Sequence, residues 1–136
     1  MNLEELYKKF PNESDLISLI EDVFWDKCPT CPYCLSKNYS IRKTNRKDYK
    51  IPRYHCNNCN TDYTVLVNSI FQNTKLKLHK WILAILEILD SDEIPSIRML
   101  AENLKISKDT ALRIRMLIVD NIAEPNFREI KRRINL

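Results

Sequence analysis

Cys28-Pro-Thr-Cys31-Pro-Tyr-Cys34 and Cys56-Asn-Asn-Cys59 constrain this chain more than any other feature, with 21 residues between Cys34 and Cys56. Two C-x2-C pairs at such a separation read as a tetrahedral metal site, each pair turning in a tight knuckle that presents two thiolates. Cys-Pro-x-Cys favours Cys31 and Cys34 for the first knuckle, with Cys56 and Cys59 as the second, and leaves Cys28 spare. Cys28 with Cys31 is the alternative first pair. His55, beside Cys56, reads as a strand residue rather than a substitute ligand. A ferredoxin run lacks its fourth cysteine three residues on, and a disulfide framework would want an even count. Rubredoxin-like iron stays open to the sequence, but one structural Zn2+ is the expected cofactor. In zinc-finger peptides such an ion contributes on the order of 10–16 kcal/mol to folding, more than the net stability of a small domain. In a chain of 136 residues, whose core is limited, that contribution is decisive.

The segment between the pairs reads as strands. Asn38–Lys43 and Ile51–Cys56 carry β-branched and aromatic residues about a charged turn, Thr44–Lys50, and Thr61–Val67 supplies a third strand with Tyr63, Val65 and Val67 on one face. Knuckles on a three-stranded sheet make a zinc ribbon. There is no glycine in the chain. Asparagine, the next most tolerant residue, is expected at left-handed positions, with Asn57, Asn58, Asn60, Asn68, Asn73 and Asn103 as candidates.

The second half reads as helices. Leu78–Leu89 is apolar on nearly every side, so other elements must surround it. After Asp90–Pro95, with Pro95 suited to a first turn, come a helix over Ser96–Leu104, the turn Lys105-Ile106-Ser107 and a helix from Lys108 to about Ile122. Ser107 is a natural N-cap, with Asp109 at the positive dipole end. Ala101, Ile106, Ala111 and Ile114 have helix-turn-helix spacing, with Lys105 where glycine is usual. Ala111, Ile114 and Ile118 face inward, leaving Lys108, Asp109, Thr110 and Arg113 for a major groove. Arg113 suits a bidentate contact to guanine, whereas Lys108 and Thr110 suit phosphate.

Charge is segregated: −5 over residues 1–26, +6 over residues 37–54 and +4 over residues 96–136, within a net +4. The basic blocks suit a polyanion touched at two points, with Arg42, Lys43, Arg46 and Lys47 in the first. The tail Arg128–Arg133 either adds backbone contacts or ends in solvent.

The ordered motifs resemble the N-terminal region of Merlin-type bacterial insertion-sequence transposases. They run Phe24-Trp25, Cys31-Pro-Tyr-Cys34, Arg53-Tyr-His-Cys56-Asn-Asn-Cys59, Thr64, Asn68-Ser-Ile-Phe71, Leu78-His-Lys-Trp81, Leu100-Ala101, Ile106-Ser107 and Thr110-Ala111. The resemblance covers nearly the whole chain. It implies a zinc ribbon and a helix-turn-helix, with Cys31, Cys34, Cys56 and Cys59 as zinc ligands and the Ser107–Arg115 helix reading DNA. The family favours glycine where Leu35, Asn68 and Lys105 stand. Its RNase H-like catalytic domain would begin where this sequence ends.

The expected fold is therefore α+β, divided as an acidic helical segment (1–26), a zinc ribbon (27–73), a helix-turn-helix domain (74–124) and a basic tail (125–136). The expected function is zinc-dependent, sequence-specific binding of double-stranded DNA, as a free-standing binder or transcriptional regulator. No catalysis is expected, because the carboxylates suggest no two-metal centre and His55 and His79 lack a nucleophile. A homodimer on paired half-sites and a monomer both remain open. The alternative is an interaction adaptor, with Leu16, Leu19, Ile20, Val23 and Phe24 of an acidic Asn12–Trp25 helix as its face. A redox or iron-linked role resting on Cys28 and the C-x2-C pairs is the weakest alternative. The longest apolar run, Trp81–Leu86, is far short of the ~20 residues of a membrane span, and the acidic N-terminus is unlike a secretory signal, so a cytoplasmic, nucleoid-associated bacterial protein is expected.

Overall fold

The computed structural model describes residues 1–42, 51–72 and 75–135. These residues form an α+β fold with two units, Glu13–Asn73 and Met1–Asn12 together with Thr74–Leu136. The first 26 residues are thus shared between units. Helix α1 (Leu3–Lys9) starts at Asn2, whose side chain accepts a 2.9 Å hydrogen bond from the Glu5 amide. Pro11 follows its end. Lacking an N–H and disfavouring a helical residue before it, proline separates α1 from α2 (Glu13–Trp25).

In the Glu13–Asn73 unit, β1 (Tyr39–Arg42), β2 (Arg53–Cys56) and β3 (Asp62–Tyr63) pair antiparallel in the order β1-β2-β3. The register sets Tyr39 opposite Cys56, Ile41 opposite Tyr54, and Tyr54 opposite Tyr63. Because opposed residues share a face, these five side chains line one side of the sheet and Ser40, Arg42, Arg53, His55 and Asp62 the other. The first face packs against Trp25, whose ring meets those of Tyr54 and Tyr63 edge-on at 5.5 and 5.7 Å. The third strand is shorter than the Thr61–Val67 expected. At Thr64 the chain leaves the sheet, its hydroxyl accepting from the Leu66 amide at 3.2 Å, so Val65 is buried from a turn and Val67 is only half-buried. The charged turn Thr44–Lys50 lies outside the described residues.

In the other unit, α3 (Leu78–Asp90) is the centre, burying Leu78, His79, Trp81 through Leu86, and Ile88. Around it pack α1, α4 (Ile97–Leu104), α5 (Lys108–Asp120) and α6 (Pro125–Ile134). His79 fixes α1: its Nε2 lies 2.6 Å from the Phe10 carbonyl and donates to it, and its ring stacks on Tyr7 at 4.0 Å. Pro95 falls before Ser96, which caps α4 by accepting from the Met99 amide at 3.1 Å. The basic C-terminal segment is helical. Phe127, Ile130 and Ile134, at i, i+3 and i+7, are buried, with Pro125 at the start of the helix.

Six described residues other than glycine have positive φ: Asp26, Lys27, Leu35, Asn60, Asn68 and Lys105. They include Leu35, Asn68 and Lys105, the positions for which the resemblance implies glycine. Of the candidate asparagines only Asn60 and Asn68 are left-handed; Asn57, Asn58 and Asn103 are not, and Asn73 lies outside the described residues. The requirement comes from the hydrogen-bond closure of each turn, so it falls on whichever residue holds that place.

Candidate metal centre and the exposed face of α5

Each knuckle closes by the same hydrogen bonds. Leu35 N–H donates to the Cys31 carbonyl at 2.9 Å, and Cys31 N–H donates to the Ser36 carbonyl at 3.0 Å. Asn60 N–H donates to the Cys56 carbonyl at 2.9 Å, and Cys56 N–H to the Thr61 carbonyl at 2.9 Å. The first knuckle precedes β1, whereas the second joins β2 to β3, so the sheet register brings the two turns face to face.

The four Sγ atoms of Cys31, Cys34, Cys56 and Cys59 all lie within 4.8 Å of one another. Cys31 Sγ is 3.6 Å from Cys59 Sγ, and Cys34 Sγ is 3.5 Å from Cys56 Sγ. These spacings exceed a disulfide bond, and all four thiols are free. Four sulfurs about 2.3 Å from a tetrahedral ion stand roughly 3.8 Å apart. The donor set therefore fits one soft tetrahedral metal ion, and Cys28 is not part of it.

Polar donors already surround the sulfurs. Tyr33 N–H donates to Cys31 Sγ at 3.4 Å, Cys59 N–H to Cys56 Sγ at 3.5 Å, and the Asn58 amide to Cys34 Sγ at 3.5 Å. The Asn58 bond helps draw the Cys34 thiol down to about 6. Burial pushes the Cys31 thiol up to about 11, while the Thr61 side chain lowers Cys59. A cation among these sulfurs favours the thiolate form of all four.

His55 is a strand residue pointing to the opposite sheet face, where its Nδ1 lies 2.7 Å from Asp62 Oδ1. Arg42 Nε donates to the same oxygen at 3.2 Å. The His55 hydrogen bond, seconded by Arg42, holds the Asp62 carboxyl below its usual range. Arg42 is thus exposed but ion-paired, and Lys43, Arg46 and Lys47 lie outside the described residues.

Helices α4 and α5 are joined by Lys105, Ile106 and Ser107. Lys105 is left-handed at φ 56°, and the Ile106 amide donates to the Ala101 carbonyl at 3.1 Å. Ser107 Oγ accepts from the Thr110 amide at 3.2 Å and donates to Thr110 Oγ1 at 2.9 Å. Ala111, Ile114 and Ile118 are fully buried, as the spacing requires. Arg115 Nε donates to the Pro95 carbonyl at 2.8 Å, tying α5 to the segment before α4.

Of the four candidate contact residues on α5, Lys108, Asp109 and Arg113 are exposed, whereas Thr110 is half-buried with its hydroxyl held by the cap. Two residues not anticipated from sequence share the exposed face with Arg113: Leu112 is 41% and Met116 54% exposed. Their signal was present, because 109, 112, 113 and 116 follow the helical repeat opposite Ala111, Ile114 and Ile118. In α6, Lys131 pairs with Asp90, while Arg132 and Arg133 both pair with Glu129. Leu16 and Ile20, two of the residues an adaptor face would need, are fully buried. No described helix is long and apolar enough to cross a membrane.

Comparison with protein-family models, with curated proteins and with solved structures finds no match for the chain.

Proposed function

We propose that this protein is a non-catalytic, zinc-dependent binder of double-stranded DNA. In this reading the Glu13–Asn73 unit is a zinc ribbon in which Cys31, Cys34, Cys56 and Cys59 hold one structural Zn2+. The pair α4–α5 is a helix-turn-helix, α5 enters the major groove, and the protein acts as a free-standing regulator or end-binder like the recognition half of a transposase.

The observation that carries the proposal is the solvent-facing side of α5. A three-residue turn fixes α5 against α4, its inner residues are sealed, and Asp109, Leu112, Arg113 and Met116 project together into solvent, with no covering element among the described residues. Arg113 matches the O6/N7 edge of guanine, and the apolar pair suits thymine methyl groups. Lys108, at the first turn, lies where phosphate is gripped. The ion pairs of α6 and of Arg42 reduce what those basic groups add, so α5 is the principal contact.

The test is a salt titration of duplex binding by the zinc-loaded full chain, alone and with Lys108→Glu and Arg113→Glu combined. Log affinity should fall linearly with log salt, with a slope near −0.9 per phosphate contacted, and the double reversal should abolish the complex. Salt-independent association, or binding that survives the reversal, contradicts the proposal.

A further inference from the structure

In the Glu13–Asn73 unit, a cavity of about 300 Å³ opens between α2 and the edge strand β1. Ser18, Glu21, Asp22 and Trp25 line one wall at i, i+3, i+4 and i+7, and Tyr39, Ile41 and Tyr54 line the other. The wall of α2 opposite this one carries the buried Leu16, Ile17 and Ile20, so apart from Trp25, which also packs on the sheet, the cavity is lined by the polar face of the helix.

Three aromatic rings and two carboxylates meet in this cavity. Trp25 and Tyr39 each meet Tyr54 edge-on with centroids 5.5 Å apart, so the three rings sit at differing angles around one space. Aromatic faces attract cations, and more strongly where water is excluded. Tyr54 Oη donates to Glu21 Oε2, fixing that carboxylate at the wall. Burial holds the Glu21 carboxyl above its usual range, a desolvation cost that an entering cation offsets. Asp22 has no ion-pair partner among the described residues, and Lys27, which also lines the cavity, pairs with neither carboxylate, so the two carboxylates outnumber the one cation there. The exposed Ile41, at 67%, adds an apolar surface for an alkyl stem.

We propose that this cavity is a binding site for a single cationic side chain, the ammonium or guanidinium group of a lysine or arginine presented by a partner protein. The volume suits one such side chain, and charge complementarity selects it, since α2 carries Glu13, Asp15, Glu21 and Asp22 and no basic residue. The same carboxylates repel phosphate, so the site is separate from any nucleic-acid contact and does not depend on the DNA-binding proposal.

The test uses the metal-loaded full chain and three probes: the N-acetyl methylamides of arginine, lysine and the uncharged norleucine. Binding is read from the NMR signals of the Trp25 indole and the Tyr39 ring. The cationic probes should give saturable shifts at those two residues, with norleucine roughly tenfold weaker. Glu21→Gln combined with Asp22→Asn, near-isosteric and checked for retained metal, should weaken the cationic probes roughly fivefold or more and leave norleucine unchanged. Equal binding of norleucine and lysine, shifts that never saturate, or an unchanged affinity in the double variant would overturn the proposal.

Discussion

Leu35 and Asn60 hold equivalent places in two copies of one turn. Each follows the second cysteine of its pair, has φ near 60° (64° and 59°), and donates its amide at 2.9 Å to the carbonyl of the first cysteine. The closure that aims both sulfurs at a common point therefore demands a left-handed residue. Asparagine meets that demand at modest cost; leucine pays roughly 1–2 kcal/mol of steric strain.

Leu35→Gly should accordingly stabilise the protein. The side chain is 74% exposed, so little burial is lost, and relief of the strain outweighs the added freedom of the unfolded chain. The expected gain is about 0.5–1 kcal/mol, read as a higher urea midpoint at unchanged slope. Leu35→Val, β-branched and worse at positive φ, should lower the midpoint.

Removal of the metal should unfold one unit and spare the other. The Glu13–Asn73 sheet has short strands whose buried face, with Cys56 on it, packs with Cys31 of the first knuckle, whereas the remaining unit is held by the apolar contacts of α3. Chelation, or Cys56→Ser, should collapse the dispersion of NMR signals from residues 13–72 and leave those of α3 to α6 in place. Loss of both units together would show that they are one cooperative structure.

These outcomes bear on how much was legible beforehand. The cysteine quartet, the approximate extents of α3, α4 and α5, and the Ser107 cap follow from spacing and side-chain chemistry that act within a few residues, whereas Pro95, expected in the first turn of α4, precedes the Ser96 cap instead. The splitting of the first 26 residues did not follow, although Pro11 marks it, because α1 is placed by His79 and Tyr7, which are distant in sequence. α6 was hidden for another reason. Its basic run drew notice to charge, while the apolar repeat Phe127, Ile130, Ile134 decides its packing. Leu112 and Met116 are apolar, so residue type alone does not mark them as surface residues, and only helix phase places them in solvent with Arg113.

Acid sensitivity should trace in part to α6. Hydrogen bonds from Arg132 and Arg133 pull the Glu129 carboxyl from its ordinary 4.5 down to about 2. A folded-state value below the unfolded one means that this stabilisation is fully present above pH 4.5 and fades as pH falls toward about 2. Glu129→Gln should therefore flatten the acid limb of the stability curve over that window and change little between those pH values and neutrality beyond a constant offset. Thermal melts across pH 2 to 7 check it.

Arg113→Ala and Arg42→Ala should behave differently in DNA binding. Arg113 is exposed and has no ion pair among the described residues, so its loss should cost about 1–3 kcal/mol and relax preference at one base pair. Arg42 already serves Asp62, so its loss should weaken binding to all sequences by a similar small factor and reduce the salt slope by about one at most. Parallel titrations on one duplex and its single-base variants separate the two.

The most direct test is selection of the zinc-loaded full chain on random duplex DNA, followed by sequencing, with Arg113→Ala alongside. The proposal predicts a defined motif containing guanine, beside A·T pairs suited to Leu112 and Met116, that the variant loses. Enrichment of no motif, or of one that Arg113→Ala retains, would contradict α5 as the element that reads sequence.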